Sequence, residues 1–204
     1  MHMSRPAAFF MLFYVIALLT PVLSVANEHP FLLFTEQDYA ELRSRADESP
    51  WREMKQAALN DAATLSYDPN ESDVEDKSLL LRDILSSNML AYILDPENAE
   101  TYKTAVLDAL YDLENLHNSR SGGDWSMHVP VANAAFHATL ALDMFYDELD
   151  ENDRQQIEGF VDQIVRSLNT NAWKLSAYAA RGSWALYRND RQEIDKYKKA
   201  YRKE

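Results

Sequence analysis

The sequence predicts an all-α protein. Glycine is scarce, at 4 of 204 residues. Apolar residues recur at spacings of three and four, and the alternation expected of a half-buried strand is hard to find. Before the helices comes a stretch that does not belong to the fold. Arg5 gives a short positive start, Ala7 to Leu19 is an unbroken apolar run, and Ser24-Val25-Ala26 is a small-x-small cleavage site followed by Asn27. This is the pattern of a secretory signal peptide over residues 1–26, which predicts a secreted or periplasmic protein. Ala7 to Ala26 is long enough to act as a membrane anchor instead, but Pro21 and the small residues at its end favour cleavage. No membrane association is expected afterwards.

Residues 27–204 fit one domain or part of a larger one. His29-Pro30-Phe31-Leu32-Leu33-Phe34 reads as an extended lead-in. Thr35-Glu36-Gln37-Asp38 resembles a capping box, followed at helical spacing by Tyr39, Leu42 and Ala46. Ser49-Pro50 opens the next helix, with proline at its first position and Trp51, Met54, Ala58 and Ala62 along one stripe. Residues 66–76 form a polar loop. A long helix then runs from about Lys77 to Leu94, ended by Asp95-Pro96, and another from about Pro96 to Leu116. His117 to Met127, with Gly122-Gly123, is the least regular part. Helices follow from about Pro130 to Leu149, from the Asp150–Asp153 cap to Leu168, and from Trp173 to Tyr187. Asp190-Arg191-Gln192-Glu193 is a capping box that opens a last helix. That helix is still running at Glu204 with Tyr197 and Tyr201 on one face, so we expect a fragment or an abrupt stop. Short loops between long helices predict antiparallel hairpins.

The formal net charge is −13, from 20 Lys and Arg against 33 Asp and Glu. Arg5 is the only Lys, Arg, Asp or Glu among the first 26 residues, so the mature chain is more acidic still. Nucleic acid is not an expected partner, because phosphate contacts need a basic surface. An acidic substrate would need a local basic site, for which Lys174, Arg181 and Arg188 are available. The absence of cysteine excludes disulfides and thiolate metal sites. His117, His128 and His137 lack the i, i+4 spacing of a zinc pair. No phosphate loop is present, and Glu71 to Asp76 lacks the fixed spacing of a calcium loop. No cofactor or metal is therefore expected.

The densest polar-aromatic stretch runs from Asn169 to Trp184. It holds Asn169, Asn171, Trp173, Lys174, Tyr178, Arg181 and Trp184. Such a set can line a cleft for a sugar acid, with aromatic faces on the rings and amide and guanidinium groups on the carboxylate. It can equally be a helix start with two tryptophans in the core. Tyr178 and Arg181, three apart, share a helix face. A second group, Trp125, His128 and Asn133, surrounds the Gly122-Gly123 segment. Trp125 packing a hairpin end and His128 solvated in a turn is the plainer alternative there. His137, among Ala, Phe and Leu, reads as a satisfied core histidine.

The order of these features resembles the helical N-terminal domain of heparinase II/III-like and alginate-lyase-like polysaccharide lyases. His29 to Thr35 is similar to that family's opening H-P-R-L-L-F-T. Ala91 to Tyr102 is similar to its A-Y-x-L-T-G-D-x-x-Y hairpin. Leu142 to Asp147 sits where the family has an a-Y-D helix end, and Asn171-Ala172-Trp173 where it carries an Asn-rich, Trp-containing active-site turn. Arg181 to Leu186 resembles the helix after that turn. The resemblance spans residues 29–204. It implies antiparallel hairpins forming part of an incomplete (α/α) toroid, and β-elimination on an acidic polysaccharide such as alginate, ulvan or a heparin-like chain. In such a reaction the uronate carboxylate must be neutralised to stabilise the enolate-like transition state. A tyrosine or histidine then moves the proton.

Carried over to this chain, Asn171 is the neutralising residue, Asn169 a weaker substitute and Trp173 a sugar platform. Tyr178, Arg181, Trp125 and His128 complete the expected substrate-binding set. The family commonly has a histidine beside the active-site asparagine, whereas here the neighbours are Thr170 and Ala172. Its catalytic tyrosine lies mostly beyond the matched stretch. Three other readings stay open. A tetratricopeptide-like scaffold fits Tyr92 to Tyr102, but a step of 34 from Asp95-Pro96 lands on Val129-Pro130 without a second copy. A carbohydrate-binding domain without turnover, or a toroidal glycoside hydrolase built on two carboxylates, are the others.

Overall fold

A computed structural model describes residues 29–66, 68, 70, 71, 73–118, 129–168 and 174–202. The fold is all-α. In chain order the helices are α1 Tyr39–Ala46, α2 Trp51–Thr64, α3 Val74–Leu94, α4 Ala99–Tyr111, α5 Leu113–Asn118, α6 Val129–Met144, α7 Glu151–Ser167, α8 Lys174–Tyr187 and α9 Arg191–Tyr201.

Caps set the helix starts, three of them where the sequence marks them and one, at Asp73, inside the stretch read as a polar loop. The Asp38 carboxylate accepts from both the backbone N–H and the hydroxyl of Thr35, each at 2.8 Å. This box opens a short 3-10 turn, Glu36–Asp38, which leads into α1. Asp73 receives the N–H groups of Glu75 and Asp76, so α3 begins at Val74 rather than Lys77. Asp150 receives Asp153 N–H and opens α7. Asp190 receives Gln192 and Glu193 and opens α9. Each cap satisfies donors that a helix start leaves orphaned.

Helix ends differ more from expectation. Asp95 accepts from the Asn98 side chain and the Tyr102 hydroxyl, both at 2.9 Å. It holds a 3-10 turn, Pro96–Asn98, outside α4. Asp112 interrupts what reads as one helix, separating α4 from α5. α6 stops at Met144, and Tyr146–Glu148 form another 3-10 turn. Asn189 adopts φ 52°, a left-handed conformation that asparagine tolerates, and so terminates α8.

α3 and α6 form the centre. α3 packs on α1, α2, α4 and α6, while α6 packs on α3, α7 and α8, and α9 packs on α8. Both central helices are apolar around most of their circumference, which is the composition of a helix covered on several sides. Several of their polar side chains bond within their own helix. Ser78 donates to Val74 O at 2.6 Å, Asn88 to Ile84 O at 2.9 Å and Thr139 to Ala135 O at 2.9 Å. Ala132, Ala134, Ala135, Ala138 and Ala141 keep α6 slim enough for close neighbours. α7 is one-sided by contrast, burying Ile157, Val161, Ile164 and Val165 along a single stripe. Short connections make α6 and α7, and α7 and α8, antiparallel pairs. α6 and α8 therefore run side by side in one direction, with Val129 and Lys174 at the same end of the layer.

Candidate functional site

A carboxylate inside an apolar helix must find partners or pay a heavy desolvation cost. Asp143, in the last turn of α6, is 2% exposed. Its Oδ1 meets His29 Nδ1 at 2.6 Å, and its Oδ2 accepts the N–H groups of Phe31 at 2.9 Å and Leu32 at 2.7 Å. One side chain thus clasps the lead-in segment to the end of α6, across 114 residues of sequence.

Aromatic rings and an ion pair extend the clasp. The His29 ring stacks on Tyr146, with centroids 3.9 Å apart and planes 8° from parallel. The Arg154 guanidinium also packs on the Tyr146 ring, 4.2 Å from its centroid. Tyr187 of α8 lies 5.5 Å from the His29 ring, and its hydroxyl donates to Glu158 Oε1 at 2.7 Å. Burial, then that hydrogen bond, push the Tyr187 phenol well above its ordinary 10.0. Arg154 stands 4.0 Å from Glu158. The cluster ties the lead-in, α6, α7 and α8 together. His29 and Asp143 both lie in motifs singled out in the sequence, but their pairing was not foreseen. The available signal was a charged residue inside the apolar run Leu140 to Phe145.

A polar cleft of about 400 Å³ opens between α7, α8 and α9. Asp162 sits at its centre. It accepts from Trp184 Nε1 at 2.9 Å, Arg166 Nε at 2.5 Å and Arg188 Nη1 at 3.1 Å. Burial works to raise the Asp162 pKa, but these donors outweigh it and hold the carboxyl below its usual 3.8. Lys196 pairs with Glu193 at 2.9 Å on the facing helix. The cleft combines four cationic side chains with three carboxylates, so it is locally more basic than the chain as a whole.

Arg181 borders this cleft but spends donors on the backbone. Its Nε bonds Val165 O at 3.1 Å, and its Nη2 bonds Leu168 O at 2.6 Å and Arg166 O at 3.4 Å. A guanidinium on the last carbonyls of a helix matches both their lone pairs and the helix dipole. It fixes the end of α7 immediately before residue 169. Tyr178 faces a different hollow and lies 6.1 Å from the Tyr197 ring. The two residues that share a helix face therefore line separate cavities, on either side of Tyr197.

Trp184 follows the core reading. It is 5% exposed and stacks on Tyr187, with centroids 5.2 Å apart. His137 is a satisfied, half-buried histidine, with Nδ1 2.8 Å from Asn133 O, and burial lowers its pKa below 6.5. Asn169, Asn171, Trp173, Trp125 and His128 lie outside the described residues. The segments that carry them, 119–128 and 169–173, join the described chain at Val129 and Lys174, at one end of the α6–α8 pair. Among the described residues no three His, Asp or Glu side chains could together hold a metal ion, and no helix is long and apolar enough to cross a membrane.

Comparison with protein families, with curated proteins and with solved structures finds no match to this chain.

Proposed function

We propose that this chain is the helical part of a polysaccharide lyase that acts by β-elimination on a uronate-containing polymer. One observation carries the reading. Three of the five segments that carry the lyase resemblance, far apart in sequence, come together near the ends of α3 and α6. His29 of the opening motif pairs with Asp143 of the helix-end motif. Tyr92 of the hairpin motif packs edge-on against Phe145, with centroids 5.0 Å apart.

In this reading Asn171 neutralises the uronate carboxylate, with Asn169 as a weaker substitute and Trp173 as a platform for a sugar ring. Trp125 and His128 belong to the other segment that joins the same end of the layer. Arg181 acts as a positioning residue, anchoring the carbonyls just ahead of Asn169. The chemical demand is concentrated on the carboxylate, because the C5 proton is only weakly acidic until its charge is balanced. A secreted or periplasmic location, after cleavage near Ala26, fits an enzyme of extracellular polymers.

A second reading, binding without turnover, is favoured by the polar cleft. Asp162 pairs with Arg166 and Arg188, and Glu193 with Lys196, which leaves no carboxylate pair there poised to move a proton. One experiment separates the two. Residues 27–204, and any longer product of the same locus, are incubated with alginate, ulvan and heparin-like chains while the absorbance of the unsaturated uronyl product is followed. A rise that Asn171→Ala abolishes supports the lyase. Retention of polymer without a rise supports binding alone. Neither product nor retention refutes both.

A further inference from the structure

We propose that the face of the layer opposite α4 and α7 is a docking groove for an amphipathic helix with acidic flanks, carried by a partner protein. This inference is independent of the lyase reading. Three hollows adjoin one another on that face. The middle one, about 230 Å³, shares Phe34 and Leu90 with a second of about 300 Å³, and shares Leu33 and Leu140 with a third of about 410 Å³. Their floor comes from α3, α6 and α8, and their outer walls from α1 and α2 at one end and α9 at the other.

The apolar exposure of the described chain is concentrated here. Eight large hydrophobic residues are exposed, and six of them line these hollows, among them Leu33 at 61%, Met54 at 59% and Trp51 at 49%. Scattered exposure needs no explanation, but a contiguous apolar patch marks an interaction surface. The shape argues for a helix. A row of hollows accepts the ridge of side chains along a helix.

Charge selects the occupant further. The middle hollow has one charged side chain, Asp143, already buried in the clasp. The outer two carry the cations, Arg45 and Lys55 at one end and Lys198 and Arg202 at the other. Arg45 pairs with Glu41 and Lys55 with Asp47. Among the described residues no acid pairs with Lys198 or Arg202. An occupant apolar in its middle and acidic at its ends matches this layout, with the stronger charge contact at the α9 end. Two copies docking face to face would bring these cations together.

The test uses residues 27–204 and two fluorescent helical peptides with the same Leu and Phe stripe, one flanked by Glu and one by Lys. Fluorescence anisotropy is expected to show binding of the Glu peptide and about tenfold weaker binding of the Lys peptide, the gap narrowing with salt. Leu90→Asp, in the middle hollow, and Leu186→Asp, in the α9-end hollow, should each weaken the Glu peptide about thirtyfold or more, as expected for anchor residues. Leu175→Asp, exposed but outside the groove, should not. Circular dichroism confirms that each variant is folded. Equal binding of both peptides, no binding, or binding untouched by the groove variants overturns the proposal. So does self-association that Leu90→Asp abolishes, or capture by anionic phosphatidylglycerol vesicles without peptide binding.

Discussion

Replacing Asp143 with alanine tests the clasp directly. The substitution removes three hydrogen bonds to a buried carboxylate, one from His29 and two from the backbone of Phe31 and Leu32. Bonds to a charged group contribute about 1.5–3 kcal/mol each, so the sum sets a ceiling. The true cost is smaller, because the lead-in can lift away and let water reach the freed N–H groups. We expect a loss of about 3–4 kcal/mol, comparable to breaking one partner of a buried pair. For a chain of this size each kcal/mol moves the melting temperature by about 2–4 °C, so the midpoint should fall by roughly 10 °C. His29→Ala removes one contact and spares the two backbone bonds, so about 1–2 kcal/mol is expected. Thermal and urea unfolding followed by circular dichroism provide both numbers. A double mutant that costs less than the two singles combined shows that they share an interaction. An Asp143→Ala midpoint within about 2 °C of the parent refutes the claim that this carboxylate anchors the segment.

Two further substitutions probe α7. Gly159 lies mid-helix, and a Cβ built there meets nothing within 4 Å, so Gly159→Ala should stabilise the protein by about 0.5–1 kcal/mol, read as a higher urea midpoint. Asp162 is held below its usual 3.8 in the folded state, so its contribution is complete above that value and is lost as pH falls through the lowered one. The stability gap between the parent and Asp162→Asn should therefore be full at neutral pH and close below 3.8, and a gap independent of pH refutes the assignment.

The helical class was legible because it rests on local spacing. Ile157, Val161, Ile164 and Val165 announce their shared stripe within one helix. So were the starts capped by Asp150 and Asp190, since a cap is written within four residues. Ends were harder to read. Nothing local distinguishes Asp112, which breaks a helix, from Asp83, which sits inside one. The clasp was illegible in its pairing, because apolar periodicity carries no information about which distant donor a buried Asp143 will find. Arg181 shows a related limit. Its residue type suits a substrate carboxylate and a helix terminus equally, and only the position of the Val165 and Leu168 carbonyls reveals the bonds it makes.

The lead-in held by Asp143 is also a long closure. Joining His29 to Asp143 in an open chain costs the entropy of a very large ring. Once α3 and α6 lie side by side the path between them is short, and the same contact forms at little further cost. Leu33 and Phe34 can cross the apolar hollows only after those two helices have met. The strap thus works as a keystone. It is the first stretch of the fold in sequence, yet its place exists only after most of the fold has assembled. Until then the floor beneath it stays open to whatever apolar segment arrives first.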